Sequence, residues 1–262
     1  MTLARNAAVE ESRVPTPVPV SAAAHTPSPA ADSLPAHIIG VLRSPRSTFS
    51  AVAESPRWAA VLLVTLAVTF ICGAVLLDTD VGRTGLVDQW ERTALAFGQR
   101  VDDARYLAFE DASRHGVLYA GLSALASGPF LALGVSAVMF GVFTRMLRGT
   151  ATFGQVFAIV AHAGVILAVR QMVVAPLNYA RETLTSPTTL TLVFSVLDEG
   201  SPLARFFGIV DLFVLWWVVT LAVGAAVLYR RPALRLVLTF LGAYLALAIV
   251  LALALALTGG VS

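Results

Sequence analysis

The sequence predicts an all-α integral membrane protein: a bundle of five transmembrane helices with short interfacial helices and one long amphipathic extramembrane helix. Three observations carry this. The 262 residues are 57% hydrophobic and 13% charged, where a soluble domain is about one quarter charged. Five apolar runs each approach the roughly 20 residues that a hydrocarbon core requires. Arginine gathers in the links that must then share one side of the bilayer. All 18 basic residues are Arg, so the formal net charge of +2 hides an uneven distribution. The single cysteine, Cys72, lies in an apolar run; it excludes an intrachain disulfide and a thiol cluster, and reads as a small packing residue.

Residues 1–34 are rich in Pro, Ala, Ser and Thr, as in Val14-Pro-Thr-Pro-Val-Pro19. They predict a disordered cytoplasmic tail, without the basic and apolar regions of a secretory signal. The rest, 35–262, reads as one membrane domain. Ile38, Ile39, Val41 and Leu42 fall at helical spacing, and Ser44-Pro45 opens a second short helix with Phe49 and Val52 on one side. This pair either lies flat on an anionic membrane face or packs under the bundle.

The first span is predicted over 58–77, closed by Asp78 and Asp80. In 78–117, Trp90, Phe97, Val101, Ala104 and Ala108 recur at three or four residues, which predicts a long amphipathic helix in an extracytoplasmic loop. The second span, 116–144, carries Gly128-Pro129 near its middle, and Gly134, Ala137 and Gly141 on one face that would permit close helix approach. Thr152-Phe153-Gly-Gln155 matches a capping box and starts the third span, 153–177. The link 178–205 holds an apolar patch at 190–197 and a Ser201-Pro202 cap pair. The fourth span covers 206–229, with Trp216 and Trp217 as packing residues. The fifth, 236–258, is stopped by Gly259-Gly260.

Arg excess in short links marks the cytoplasmic side. Arg43, Arg46 and Arg57 precede the first span, Arg145 and Arg148 follow the second, and Arg230, Arg231 and Arg235 follow the fourth. In a five-span chain these three segments share a side. The amino-terminus is therefore expected in the cytoplasm and the carboxy-terminus outside.

A carboxylate at membrane depth is costly. Asp211 lies near the outer end of the fourth span, and Arg170 lies about two turns, or ~10 Å, below the outer end of the third. The two are expected to pair. The pair reads as an ion pair that docks two helices, with a gate or proton-coupled site involving the deeper His162 as the alternative. Ser123, Ser127 and Ser136 have only His162 as an intramembrane base. The four histidines (His25, His37, His115, His162) are scattered, so no metal site is expected. Hydrolase, metalloprotease and nucleotide-loop motifs are absent, as is a basic strip with interleaved aromatics. Hence no catalytic residue, no cofactor and no nucleic-acid partner is expected.

Ser44-Pro45-Arg-Ser-Thr-Phe49 followed by Glu54-Ser-Pro56-Arg-Trp58 resembles the amino-terminal signature of bacterial Yip1-domain proteins. The Phe153 segment is similar to that family's third-span entry. Asp211-Leu-Phe-Val-Leu-Trp216 followed by Gly224 is similar to its Asp-x-Phe-x-x-Trp and Gly pattern. The resemblance covers about 40–258 and leaves out the tail and the long 78–117 loop. It implies a five-helix domain of the bacterial inner membrane, and its recurring positions map onto Pro45, Phe49, Pro56, Phe153, Asp211, Trp216 and Gly224 without a catalytic role. Eukaryotic relatives associate with Rab-type GTPases in early secretory trafficking, of which only membrane organisation carries across to bacteria. The expected function is a non-enzymatic scaffold or adaptor that contacts the lipid bilayer and other membrane proteins, with a homo-oligomer left open. The alternative is a small conduit for an ion, lipid or solute that uses Arg170, Asp211 and His162.

Overall fold

The computed structural model of the chain describes residues 33–146, 148–192 and 202–258. Nearly all of the 1–34 tail, the 193–197 part of the apolar patch, the Ser201 cap and the Gly259-Gly260 stop lie outside the described residues. Within them the fold is helical throughout, with one isolated antiparallel bridge, Thr189 to Asp211. Four helical stretches are long and apolar enough to cross a membrane: Ala59–Leu77, Gly116–Arg145, Phe153–Ala180 and Ala233–Ala254. A further apolar helix, Leu212–Leu228, is 17 residues long.

Helices α1 (Leu34–Arg43) and α2 (Pro45–Glu54) meet at Ser44, with Pro45 opening α2. The Ser44 side chain makes no cap bond; its carbonyl accepts from Thr48 N–H instead. Val41, Phe49 and Val52 are buried, with Ile39 left exposed, and α2 lies against the start of the Phe153–Ala180 stretch and against Leu212–Leu228. Packing under the bundle thus describes this pair.

Helix α3 (Ala59–Leu77) matches the first predicted span. The single long helix expected in 78–117 is two helices, α4 (Asp80–Ala96) and α5 (Asp103–Ser113). Gly98 takes a left-handed φ of 69°, a conformation open to glycine that ends a helix. Asp102 then caps α5 by accepting from Arg105 N–H at 2.9 Å. Asp80 begins α4 rather than only closing α3, because Thr79 accepts from Gly82 N–H at 3.0 Å.

Helix α6 (Gly116–Met139) continues through Pro129 and runs into a π-helical turn, Phe140–Met146. The expected close approach at Gly134 and Gly141 does not occur, since a Cβ at either would meet nothing within 4 Å. The small residues that admit a neighbour lie earlier: a Cβ at Gly121 would sit 3.2 Å from Phe70, and one at Gly128 would strike Leu66, both on α3.

Helices α7 (Phe153–Ala163) and α8 (Val165–Ala180) join at Gly164 and form the buried axis of the bundle. The Thr152–Gln155 capping box is present in full. The expected 206–229 span is broken: α9 (Pro202–Ile209) stops short of Val210 and α10 (Leu212–Leu228) starts after Asp211. An aspartate preceding two free amide N–H groups ends one helix and caps the next more favourably than it sits inside a helix. Helix α11 (Ala233–Thr258) packs on α9 and α10. Trp217 is half-buried, whereas Trp216 is 40% exposed and packs less than expected. Leu63, Val75, Leu122, Phe130, Val138 and Val250 also face outward. A soluble protein would not leave so much large apolar surface uncovered.

Candidate functional site

The polar centre of the bundle forms where the α9–α10 break meets the link after α8. Asp211 is 3% exposed. Its Oδ1 accepts from the backbone N–H of Phe213 at 2.9 Å and of Val214 at 3.3 Å, the two amides that open α10. Its Oδ2 accepts from Thr188 Oγ1 at 2.6 Å, from Ser186 Oγ at 3.1 Å, and from Arg170 through Nε at 3.0 Å and Nη2 at 2.9 Å. Arg170 Nη2 also donates to Ser186 Oγ at 2.8 Å. The carboxylate is thereby surrounded by charged and neutral donors, the condition under which a buried charge is tolerated.

The backbone closes around the same point. Leu190 N–H donates to Val210 carbonyl at 2.9 Å, and Leu212 N–H to Thr188 carbonyl at 3.0 Å. Tyr244 of α11 donates its hydroxyl to Ile209 carbonyl at 3.0 Å, and that oxygen lies 3.4 Å from Asp211 N. Four helices, α8 to α11, and one link therefore converge on Asp211. The contacts tie the ends of these helices together at one point.

His162 stands apart from this cluster. It lies eight residues before Arg170, ~12 Å along the helix axis at 1.5 Å per residue. Its Nδ1 is 2.8 Å from Ala158 carbonyl, and its ring lies 5.6 Å from that of His37 on α1. The Nε2 atoms of both rings are buried without a hydrogen-bond partner among the described residues. Ser123, Ser127 and Ser136 donate to carbonyls of Ala120, Ser123 and Ala132 within α6, the usual outlet for a helical hydroxyl. Among the described residues there is no group of three or more His, Cys, Asp or Glu that could hold a metal.

Of the motif positions, Phe49 and Gly224 come together: a Cβ on Gly224 would strike Ile159 Cγ2 and lie 3.4 Å from the Phe49 ring. Pro45 opens α2, and Pro56 is exposed in the connection to α3. Phe153 opens α7 and sets its ring against Phe157 and Phe140. Sequence reasoning missed Ser186, Thr188 and Tyr244. The run Thr185-Ser-Pro-Thr-Thr189 in the link was a visible signal for the first two, since hydroxyls beside a predicted ion pair are donors for it. Nothing local marked Tyr244.

A helical bundle whose large apolar side chains face outward, with long apolar helices, is that of an integral membrane protein. The Yip1 domain family model matches residues 39–255, and the chain belongs to the Yip1 family. No curated protein and no solved structure matches it.

Proposed function

We propose that this protein is a non-enzymatic membrane scaffold or adaptor that crosses the bilayer five times and engages other membrane proteins, with a homo-oligomer among its permitted states. The buried and fully hydrogen-bonded Asp211 carboxylate carries the reading. A transport or proton-coupled carboxylate needs access to water or cargo, whereas this one is buried and its donors are supplied by the protein itself. Its disposition fits an ion pair that docks two helices.

Helix α10 is short for a span, and two connections support its crossing. Its amino-terminal end is tied to Arg170, Ser186 and Thr188 through Asp211. At its other end Tyr229 Oη lies 3.0 Å from Thr144 Oγ1, beside the link that leads into α7. From Asp211 to Tyr229 is ~27 Å at 1.5 Å per residue, close to the ~30 Å of a hydrocarbon core. Arg148, Arg230, Arg231 and the carboxy-terminal end of α2 border one cavity, which supports a shared side for the three arginine-bearing segments. By the positive-inside tendency that side is cytoplasmic, the amino-terminus with it, in the inner membrane of a bacterium.

A second reading has one observation in its favour. A cavity of about 560 Å³ between α3, α6, α8 and α10 reaches Arg170, Gln171 and Trp217, and Trp217 Nε1 is buried without a partner among the described residues. A conduit for an ion, lipid or solute would use that space, with His162 deeper in the bundle. Flux into vesicles reconstituted with wild type and with Asp211→Asn separates the two. A scaffold passes no solute in either case and crosslinks to neighbouring membrane proteins in intact cells; flux abolished by Asp211→Asn would establish the conduit instead.

A further inference from the structure

The geometry points to a phosphate-binding site, for an anionic headgroup or a free phosphate, in the cavity where α2, the turn after α6 and the α10–α11 turn meet. This cavity is about 860 Å³, within the range of ligand pockets. Arg148, Arg230, Arg231, Tyr229, Gln155 and Glu54 line it. Three guanidinium groups face one carboxylate, and none of the three has a carboxylate within ion-pair distance among the described residues. Guanidinium is the side chain best matched to phosphate, because its planar fork donates two parallel hydrogen bonds.

Two of these arginines occupy backbone that arginine rarely adopts. Arg148 has φ 53° and Arg230 has φ 51°, the left-handed region in which glycine or asparagine is favoured. Arg230 follows the last turn of α10, where Arg231 N–H returns to Ala226 carbonyl at 3.0 Å, a position that glycine fills most easily. Attraction to the carbonyl end of a helix accounts for a nearby cation. It does not account for bringing Arg148, Arg230 and Arg231 from two separate turns around a single concavity. The backbone adds donors: Thr150 and Ala151 line the same cavity, and their N–H groups meet no acceptor among the described residues.

Phe143, Val227 and Leu228 form an apolar part of the wall, suited to the glycerol portion of a lipid whose phosphate sits at the membrane surface. The site goes beyond the scaffold reading and stands equally if the bundle conducts.

The test uses the full-length protein in detergent, with short-chain phosphatidic acid, short-chain phosphatidylcholine and inorganic phosphate as probes. Binding is read by native mass spectrometry and by the shift in Tm. Wild type is expected to retain phosphatidic acid one to one and to gain Tm, and to ignore phosphatidylcholine. The double variant Arg148→Gly/Arg230→Gly is expected to bind phosphatidic acid about tenfold more weakly or worse, since it loses two bidentate donors. Its ligand-free Tm should hold or rise as the backbone relaxes. Arg145→Ala/Arg235→Ala removes the same charge from the same face outside the cavity, and should bind as wild type does. Protection by inorganic phosphate with the same arginine dependence would keep the site and assign it a soluble ligand. Equal binding by wild type and the Gly variant, or equal loss in the Ala control, overturns the proposal. So does a ligand-free Tm that collapses in the Gly variant, because the arginines would then be serving the fold.

Discussion

At the scale of single residues, the ion pair and the small positions of the core are where substitutions separate one physical cause from another. Besides Arg170's guanidinium the Asp211 carboxylate accepts from four groups, two backbone amides and two hydroxyls, whereas Arg170 depends on Asp211 and Ser186. Asp211→Ala removes the α10 cap and strands a partly buried guanidinium, and should destabilise by about 3–5 kcal/mol. Arg170→Ala should cost less, because hydroxyl and amide donors remain for the carboxylate. The double variant should cost less than the sum of the two. Chemical unfolding in detergent reads all three, and strict additivity would mean that the pair is not energetically coupled. Gly224 offers a cleaner steric case. Gly224→Ala forces a methyl against Ile159 and Phe49 and should cost about 1–3 kcal/mol as overpacking. Measured in an Ile159→Ala background, Gly224→Ala should cost less than it does in wild type, and an equal cost in both would show that the backbone, not Ile159, sets the limit. Arg170–Asp211 was legible in the sequence because helix rise converts residue number into depth. His37–His162 and Phe49–Gly224 were not, since each joins an amino-terminal short helix to a distant span, and no local spacing encodes such contacts.

At the scale of elements, the breaks decide more than the helices do. Hydropathy alone runs from Phe206 to Tyr229 without a pause, because an apolar window reads one aspartate as a small deficit. The chain instead spends that aspartate on capping, and two backbone bonds from the 188–190 segment cover the interruption. The same blindness merged α4 and α5: periodicity spans Gly98 and Asp102, while the left-handed φ of one and the capping oxygen of the other stop and restart the helix. Where a cap signal was written in full, at Thr152–Gln155, the boundary was legible to the residue. Thr188→Val tests the α9–α10 junction at nearly constant volume. It removes the 2.6 Å bond to Asp211 and should cost about 1 kcal/mol. Amide exchange at Leu190 and Leu212 should quicken while that at Ile159 in the axis stays slow. Unchanged exchange at both amides would mean that the bridge stands without the hydroxyl.

At the scale of the whole molecule, the connections at the two ends of α10 bear on how many times the chain crosses. With four long apolar stretches alone, α9 and α10 would dip and return, and Pro232 would emerge on the side opposite Thr150. The shared cavity argues against that, because Thr150 and Arg231, next to Pro232, both border it. Gln99, in the exposed connection between α4 and α5, lies beyond α3 and before α6, so a single crossing by α6 separates it from Thr150. In a Cys72→Ala background, single substitutions Gln99→Cys, Thr150→Cys and Pro232→Cys report these levels to a membrane-impermeant maleimide. Intact spheroplasts should label Gln99→Cys alone, and permeabilised ones all three. Labelling of Pro232→Cys together with Gln99→Cys would give α10 no crossing and move the carboxy-terminus to the cytoplasm. Labelling of Thr150→Cys and Pro232→Cys without Gln99→Cys would keep five crossings and invert them, so that arginine in the links no longer marks the cytoplasmic face.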